Sequence, residues 1–526
     1  MDVARLAGVH QSTVSRAFSD DRRVSAKTRA KVLTAARRLG YTPNAIARSL
    51  ITQQTGIVAL VMASFTSPFQ PYVLERFIRG LGAIGRQVLV FSARPEQEMI
   101  DETLRLLLER LRQPGSAPVT RLFPVALGSA DGGGRAGMSG GARQYDTIVV
   151  GVGGMGSATC YELARRGKRV LGIERFDVPH DRGSSHGYTR IIRLAYYEDP
   201  SYVALLQRAY ELWREIEGRA GEQLLHITGS IDAGPEDGWI FKGALQSARE
   251  FDLPHEVLTG AELAGRFPGY RLPGGVVGLY QPQGGFVRPE RSIVAFTEAA
   301  QAAGAEIHAR EQVLDFGPTA GGGVRVTTDR GSYEAGTLVL AAGAWIAGLL
   351  PFLRGLAVPE RQVLAWLQPR RPELFGPDRF PVFNLEVPEG RFYGLPVFDV
   401  PGFKFGKYGH RGEEGDPDGL LTEPTREDEE LLRSFAARYF PDGAGPTMML
   451  RSCMFTNAPD GHFIIDRHPE WPQIFIASPC SGHGFKFVSV IGEVMADLAE
   501  RGETRHDISL FRLARLLEPA EPAPAP

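Results

Sequence analysis

Cysteine is scarce in this chain of 526 residues: only Cys160, Cys453 and Cys480 are present. Their number and spacing fit neither a disulfide framework nor a zinc site. The sequence also lacks an apolar run long enough to span a membrane, and its N-terminus has no signal-peptide pattern. These absences favour a reduced cytoplasmic protein. A chain of this length exceeds one hydrophobic core, so we expect roughly two to four domains.

The chain as a whole also lacks a large excess of positive or negative charge, because its formal net charge is −2. The charge is unevenly distributed, however. Residues 1–50 hold ten Lys or Arg against three Asp or Glu, a balance of +7, so the remaining residues carry −9. A basic segment of this size predicts a polyanionic partner.

Residues 1–50 have the pattern of short helices joined by tight turns. Residues 2–7 and 12–18 flank a turn at Gly8, which is helix-turn-helix spacing. A third helix over residues 26–39 would begin after Ser25, a favourable N-cap, and end at Gly40, a favourable C-cap. Taken alone, such a pattern predicts a small helical core more often than a DNA-binding domain.

Two segments of this region, DVARLAGVHQSTVSRAF and VSAKTRAKVLTAARRLGYTPNAIARSL, resemble the DNA-binding head of the lac repressor family. The resemblance implies that the second helix reads the major groove and that a hinge helix over residues 44–50 inserts a leucine into the minor groove. Two departures are His10, where a serine cap is usual, and the lack of the few residues that usually precede the first helix. The implied DNA-contacting residues are Gln11, Ser12, Thr13, Arg16 and Leu50.

Residues 51–112 continue this resemblance. The segment GIVALVMASFTSPFQPYVLERFIRGLGAIGRQVLVFSA has the pattern strand, helix, strand, and residues 96–110 the pattern of a helix. It is similar to the opening of the periplasmic-binding-protein-like effector domain of the same family, cut short at residue 112. We expect this fragment to lack the usual dimer face, which would weaken operator binding. Residues 113–144 predict a flexible linker, and residues 518–526 a disordered tail.

Residues 145–174 have the order strand, glycine turn, helix, strand and acidic residue. Gly151, Gly153 and Gly156 form the G-x-G-x-x-G spacing directly after an apolar strand. This spacing allows a tight turn, a close approach of a pyrophosphate to the backbone, and close packing of helix on strand. Glu174, at the end of the second strand, would accept hydrogen bonds from a ribose. The segment therefore predicts a dinucleotide site at a helix N-terminus.

Basic residues in three further segments are informative from the residues alone. Arginines in SSHGYTRIIR are either solvated charges or a fork that binds a carboxylate. Lys404, inside the apolar run FKFGK, either has its stem along the surface or is a cation held near a reacting anion. Lys486 precedes a helix, where the dipole disfavours a cation, which indicates an anionic partner nearby.

Together with the glycine turn, the segments SSHGYTRIIR, FYGLP, FKFGK, SCMFTNAPDGHFIID and SGHGFKF resemble the monomeric sarcosine oxidase and N-methyltryptophan oxidase family. The resemblance covers nearly all of residues 145–517. It implies an α/β fold of amino-acid-oxidase type, in which an FAD-binding Rossmann-like domain carries an inserted antiparallel-sheet substrate domain. An all-α head and an α/β fragment would precede it.

The resemblance also implies roles for individual residues. FAD would be joined by a thioether to Cys453, whereas Cys480 would be a small residue packed near the flavin. A histidine of some relatives is replaced by Tyr408, with His410 two residues further on, which leaves the preferred amino acid open. Arg193 and Lys486 would hold the substrate carboxylate, Tyr393 would line the pocket, Arg190 and His186 would lie at the flavin, and Lys404 would activate oxygen.

The implied reaction is the oxidation of an N-methyl or cyclic secondary amino acid by oxygen, with release of hydrogen peroxide. Two alternatives remain open from the sequence. The chain is either a DNA-binding transcription regulator with a flavoprotein sensor domain, or a flavoprotein dehydrogenase that passes electrons to another carrier. The truncated effector fragment argues against the regulator, and Lys404 and Cys453 favour the oxidase.

Overall fold

A computed structural model of the protein describes residues 2–10, 13, 25–38, 57–62, 87–92 and 144–517. The chain divides into two units, residues 1–136 and residues 137–526, and each is described by itself. Within the described residues no helix combines the length and the apolar composition needed to cross a bilayer.

The first unit contains helices α1 (Asp2–Ala7) and α2 (Ala26–Arg38) and strands β1 (Ile57–Met62) and β2 (Gln87–Ser92). The Ser25 hydroxyl accepts a hydrogen bond from the Thr28 amide at 3.2 Å, so the predicted N-cap is confirmed. The two strands pair in parallel, which agrees with the predicted strand-helix-strand pattern. Thr13 is helical. The other head and linker predictions, including Gln11, Ser12, Arg16 and Leu50, fall outside the described residues.

The second unit contains two large sheets and a small one. Its strands are β3 (Gln144–Val150), β4 (Val170–Ile173), β5 (Arg190–Ile192), β6 (Leu225–Ile227), β7 (Ser230–Pro235), β8 (Glu256–Thr259), β9 (Val276–Gln281), β10 (Gly285–Val287), β11 (Glu306–His308), β12 (Val313–Pro318), β13 (Val324–Thr328), β14 (Ser332–Leu340), β15 (Val358–Leu367), β16 (Val382–Val387), β17 (Gly390–Leu395), β18 (Phe403–Lys407), β19 (Thr447–Asn457), β20 (Ile464–Arg467) and β21 (Ile474–Ser478). Its helices are α3 (Gly154–Arg165), α4 (Tyr202–Ala220), α5 (Trp239–Glu250), α6 (Gly260–Arg266), α7 (Pro289–Ala302), α8 (Ile346–Leu349), α9 (Pro417–Leu420), α10 (Arg426–Tyr439), α11 (Val488–Arg501) and α12 (Ala514–Leu517).

The first sheet has the strand order β11-β4-β3-β14-β13-β12, and the end of β14 also pairs with β21. Strands β11, β4, β3, β14 and β21 pair in parallel. The apolar side chains of β3, β4, β21 and the end of β14 are buried on both faces, which explains the unbroken apolar runs in the sequence. Helix α3 packs against both α7 and α11 beside this sheet. The predicted β-α-β unit, here β3, α3 and β4, is confirmed.

The second sheet has the order β19-β15-β18-β17-β16-β7-β9-β8. The strands predicted at residues 361–367 and 383–387 lie within β15 and β16. Neighbouring strands are antiparallel, as predicted, except that β16 and β7 pair in parallel. These two strands are joined by a long stretch of chain rather than a hairpin, so no tight turn dictates their direction. The small sheet β5-β10-β6 provides the strand that leads into the site described next.

Candidate active site

A cavity of about 750 Å³ in the second unit is lined by both large sheets and by the loop that precedes β5. Gly156, His186 and Lys404 are not among its lining residues. The cavity nevertheless brings together most residues that the resemblance assigned, although they lie far apart in the sequence. Those in its wall are Gly151, Gly153, Glu174, Arg190, Arg193, Tyr393, Cys453 and Lys486.

The glycine turn forms one end of this cavity. Gly151 has a φ of +90°, and a Cβ there would lie 2.4 Å from the Ala341 carbonyl oxygen. A Cβ on Gly156 would lie 1.7 Å from the Gly151 carbonyl oxygen, so a side chain would push α3 away from the turn. A Cβ on Gly153 would meet no described atom within 4 Å. Gly153 therefore leaves room for a ligand beside the N-terminus of α3, as a pyrophosphate site requires.

Glu174 follows β4, and its carboxylate accepts hydrogen bonds from two loops of the backbone. One carboxylate oxygen accepts a hydrogen bond from the Val152 amide at 2.9 Å, and the other accepts one from the Phe176 amide at 2.9 Å. The side chain is buried but belongs to the cavity wall. Because a carboxylate has further lone pairs, it can also accept from a ribose hydroxyl.

Arg190 and Cys453 meet at another part of the wall. The Arg190 guanidinium donates to the Ser184 carbonyl at 2.8 Å and lies 3.5 Å from the Cys453 sulfur. Cys453 is on β19 and is 2% exposed. Cys480 lines the same cavity, but burial raises the pKa of its thiol to about 11, which makes it a poor nucleophile.

His186 is buried behind the wall, and its Nε2 has no hydrogen-bond partner among the described residues. Burial, reinforced by the Arg190 guanidinium, lowers the pKa of His186 to about 3, so the imidazole is neutral. An unpartnered buried nitrogen of this kind can donate to a bound group or accept from one.

Lys404, on β18, reaches the loop before β5. Burial and the Arg190 guanidinium lower the pKa of its ammonium group. Its nitrogen donates to the Gly187 carbonyl at 2.7 Å and to the Thr189 carbonyl at 2.6 Å. Thr189 itself lines the cavity, so Lys404 lies behind the wall and Thr189 stands between it and the cavity.

Arg193 and Lys486 face the cavity from different elements. Arg193 follows β5, is 1% exposed and donates to Glu198 at 2.7 Å. Lys486 lies in the short helix Phe485–Phe487 and donates to the His483 carbonyl at 2.7 Å. Burial, with the Arg193 guanidinium nearby, lowers the pKa of Lys486 to about 7. Two buried cations at one wall can hold an anionic group of a ligand.

Acidic and polar partners of Arg193 were not singled out in the sequence. Glu198 and Asp232 both lie within ion-pair distance of the guanidinium, and Asn384 donates to Asp232 at 2.7 Å. Burial raises the pKa of Asp232 to about 6 despite the nearby Arg193. They come from a loop, β7 and β16, and no local motif connects them. Only the three-dimensional fold brings them together.

Tyr408, rather than His410, faces the cavity. The Tyr408 hydroxyl lies 3.2 Å from the Asn384 side-chain oxygen, close to the Arg193 cluster. His410 is 1% exposed and its Nε2 lies 2.9 Å from Asp428, so it belongs to a buried structural hydrogen bond instead. Of Tyr408 and His410, the residue in the pocket wall is therefore Tyr408, and Tyr393 lies beside it.

These features fit a flavin dinucleotide. The open space at Gly153 suits a pyrophosphate, Glu174 suits a ribose, and the unpartnered His186 nitrogen and the Cys453 sulfur suit the opposite end. Residues 144–517 and the short described stretches before them contain no group of three or more His, Cys, Asp or Glu that could hold a metal ion.

Comparison with known proteins identifies the family to which this part of the chain is similar. The family described as FAD dependent oxidoreductase matches residues 146–498, and the family described as bacterial regulatory proteins, lacI family, matches residues 1–44. A monomeric sarcosine oxidase of Streptomyces avermitilis is 42% identical over 377 residues, which cover 71% of this chain and 98% of the relative. An N-methyl-L-tryptophan oxidase of Yersinia pseudotuberculosis is 35% identical, over 70% of this chain and 99% of the relative.

A similar solved structure is that of NikD, described as an unusual amino acid oxidase essential for nikkomycin biosynthesis. It has 28% sequence identity and a TM-score of 0.62, and the match covers 70% of this chain and 97% of that one.

Proposed function

The chain belongs to the FAD dependent oxidoreductases, within the group of sarcosine and N-methyl-L-tryptophan oxidases, and on that premise we propose that it oxidises N-methyl or cyclic secondary amino acids. Oxygen is the electron acceptor and hydrogen peroxide is released. The observation that carries the proposal is that two buried cations, Arg193 and Lys486, face the same cavity as the glycine turn.

Arg193 and Lys486 bind and orient the substrate carboxylate. A planar guanidinium and a compact ammonium on one wall fix both the position and the direction of a small carboxylate. Burial strengthens this attraction because little water screens it. The amine then lies on the flavin side of the cavity, and Tyr393 and Tyr408 border the space left for its substituents.

The cofactor is FAD, and we propose that it is attached through Cys453. Bound FAD supplies the redox chemistry, because it accepts two electrons and a hydrogen from the carbon next to the substrate nitrogen. Arg190, next to the Cys453 sulfur, provides positive charge at this end of the cavity. His186 stays neutral there and is available as a hydrogen-bond partner. Cys480 is a weak candidate for attachment, because burial raises the pKa of its thiol to about 11.

Lys404 acts on oxygen rather than on the amino acid. Its nitrogen is held by two backbone carbonyls behind the cavity wall, where it does not contact the carboxylate-binding cations. A positive charge at this place stabilises negative charge that develops on oxygen. The imine product leaves the cavity and hydrolyses, and a substrate oxidised at its N-methyl group yields formaldehyde.

A peroxide assay on the purified full chain tests the proposal. The panel contains sarcosine, N-methyl-L-tryptophan, N-methyl-L-alanine, L-proline and L-pipecolate. Glycine controls for the secondary amine, and N-methylethylamine controls for the carboxylate. We expect peroxide from members of the panel and none from the controls. Substrate-dependent bleaching without peroxide, even in air, would instead identify a dehydrogenase with another acceptor.

DNA binding through residues 1–44 is a second candidate function, because this segment matches the lacI family. We propose that any such binding is weak, since the segment that follows is shorter than an effector domain. Such a domain normally forms the dimer in which a second subunit binds the second half-site. A gel shift of the full chain on random duplex DNA at low salt tests this, with Arg16→Ala as the matched variant. A shift that Arg16→Ala leaves unchanged would rule out the head as the binding element. A cytoplasmic location remains a prediction from the sequence.

A further inference from the structure

The part of the cavity around Arg193, here called the Arg193 pocket, contains equal numbers of positive and negative side chains before any ligand enters. Arg193 and Lys486 supply two cations, and Glu198 and Asp232 supply two carboxylates. All four side chains are buried. A substrate carboxylate bound by the two cations would leave one uncompensated negative charge in a place that water does not reach. Such a charge is costly, and buried groups usually change protonation instead.

The two resident carboxylates differ in how well they are stabilised as anions. Glu198 accepts a hydrogen bond of 2.7 Å from the Arg193 guanidinium. Burial, the largest influence, acts to raise the pKa of Glu198, but Arg193, His483 and Lys486 hold that pKa below its ordinary value. Glu198 therefore remains the ionised partner of Arg193.

Asp232 is less well stabilised. Its Oδ1 accepts from Asn384 at 2.7 Å and lies 3.3 Å from Arg193 Nε, but that Nε makes no hydrogen bond within the described chain. Its Oδ2 has no hydrogen-bond partner there either, and the side chain is fully buried. An ionised carboxylate with one unsolvated oxygen is the member of this cluster that a proton neutralises most easily.

The groups that face Asp232 come from several elements: Arg193 and Glu198 from the segment after β5, Asn384 from β16, and Lys486 from the short helix before α11. The hydroxyls of Tyr197 and Tyr408 adjoin the Asn384 side chain. Burial has already raised the pKa of Asp232 to about 6, and Arg193 is the strongest influence that opposes this rise. Sharing Arg193 with a third carboxylate weakens that opposition.

We propose that Asp232 takes up one proton from solvent when the substrate carboxylate binds, and so keeps the pocket electrically neutral. The inference rests on the proposed function, because it takes Arg193 and Lys486 as the carboxylate site. Asp232 is a positioning residue, since it acts through Arg193 and is not part of the cavity lining. The proton goes to Oδ2, and no electrons move in this step.

Lys486 is the competing proton acceptor, because its pKa is lowered to about 7. It donates two hydrogen bonds, which an ammonium group and a neutral amine can both do, so the variant Asp232→Asn decides between the two proton acceptors. His483 Nε2 lies 3.0 Å from the Gly461 carbonyl and must donate to it, so Nδ1 accepts from the Tyr196 hydroxyl at 2.6 Å. The Tyr196 oxygen and the His483 carbonyl then both accept from the Lys486 nitrogen.

Isothermal titration calorimetry of the flavin-loaded full chain with methoxyacetate measures the proton uptake. This carboxylate carries no amine to oxidise. Titrations in phosphate and in Tris, whose ionisation enthalpies differ, give the number of protons bound per ligand. We expect close to one proton at about pH 7, and an affinity that falls about tenfold per pH unit above that. Uptake should disappear at about pH 5, where Asp232 is already protonated.

Asp232→Asn is the deciding variant, and Asp237→Asn, exposed in the turn after β7, is its matched control. Asp232→Asn should bind methoxyacetate without proton uptake and with an affinity nearly independent of pH, whereas the control should behave like wild type. Undiminished uptake by Asp232→Asn would assign the proton to Lys486 and overturn the inference. If this variant does not fold, Asn384→Leu serves instead, because loss of its hydrogen bond should move the onset of pH dependence to higher pH.

The wild-type titration distinguishes failure of proton uptake by Asp232 from failure of the proposed carboxylate site. Binding without proton uptake would overturn the role of Asp232 and leave the carboxylate site intact. Failure of methoxyacetate to bind at all, or to perturb the flavin absorbance, would overturn the carboxylate site and the inference together.

Discussion

Lys404 and Thr189 are joined by two hydrogen bonds, from the lysine nitrogen to the Thr189 carbonyl at 2.6 Å and to its hydroxyl at 3.1 Å. Thr189 lines the cavity and precedes Arg190. The second sheet thus holds a cation directly behind the loop that borders the proposed flavin site. This separation of Lys404 from the carboxylate-binding cations leads to the first prediction.

Replacing Lys404 with Met should slow reoxidation by oxygen about 10²-fold or more, because a preorganised charge near developing negative charge contributes on that scale. Reduction by the amino acid should change much less, since Lys404 does not contact the carboxylate site. Stopped-flow absorbance of the two half-reactions measures this. Lys407→Met, on the same strand but outside the cavity lining, is the control. Equal slowing of both half-reactions by Lys404→Met would contradict the assigned role.

Replacing Cys453 with Ser should abolish covalent flavin attachment. Acid precipitation of wild type should give a yellow pellet, because the thioether survives denaturation, whereas Cys453→Ser should release its flavin into the supernatant. Cys480→Ser should behave like wild type, since its thiol, with a pKa of about 11, is seldom ionised. A colourless pellet from fully loaded wild type would exclude covalent attachment at either cysteine.

Alanine at two positions of the glycine turn should have different effects. Gly153→Ala adds a methyl group where no described atom lies within 4 Å, so the unfolding free energy of the apoprotein should change little while FAD affinity falls. Gly156→Ala places a methyl group 1.7 Å from the Gly151 carbonyl oxygen and should lower both the unfolding free energy and the FAD affinity. FAD titration and urea unfolding of the apoprotein measure the two effects. Unchanged FAD affinity in Gly153→Ala would argue against a pyrophosphate at this turn.

Stability should fall below neutral pH because two buried histidines are neutral in the folded state. Burial lowers the pKa of His186 to about 3 and that of His483 to about 4, whereas both return to about 6.5 on unfolding. Groups with depressed folded pKa values stabilise the fold above about pH 6.5, and this contribution is lost as the pH falls toward the folded values.

Each such histidine contributes a slope of up to about 1.4 kcal/mol per pH unit in that window. Urea unfolding of the full chain at a series of pH values should therefore show a shallower acid decline for His483→Gln than for wild type. His255→Gln, outside the cavity, controls for the loss of a histidine as such. An identical acid decline in His483→Gln and wild type would show that His483 does not titrate as stated.

The parts of the site that the sequence predicts are those with local patterns. The glycine turn is recognisable because its turn, close packing and open approach all depend on residues within a few positions of one another. The β-α-β unit and the strands around residues 361–367 and 383–387 follow from apolar periodicity. The lysine that precedes α11 is recognisable because a cation is unfavourable there without a partner.

The parts that the sequence does not predict depend on long-range contacts. Asp232 and Asn384 are 152 positions apart and meet only because β7 pairs in parallel with β16. In the sequence each is a polar residue between two apolar neighbours in a strand, which is more often a satisfied core residue than a functional group. Glu198 lies five residues after Arg193, but nothing in its local sequence indicates that its carboxylate is buried against that guanidinium.

The position of β21 has a consequence for biosynthesis. This strand, Ile474–Ser478, pairs with β14 in the first sheet, and Lys486 lies in the short helix that comes after it. A nascent polypeptide on the ribosome therefore has no finished pigment-binding pocket until β21 and Lys486 have been synthesised. Flavin loading is then a step that follows the synthesis of β21, and products that terminate before this strand should accumulate colourless.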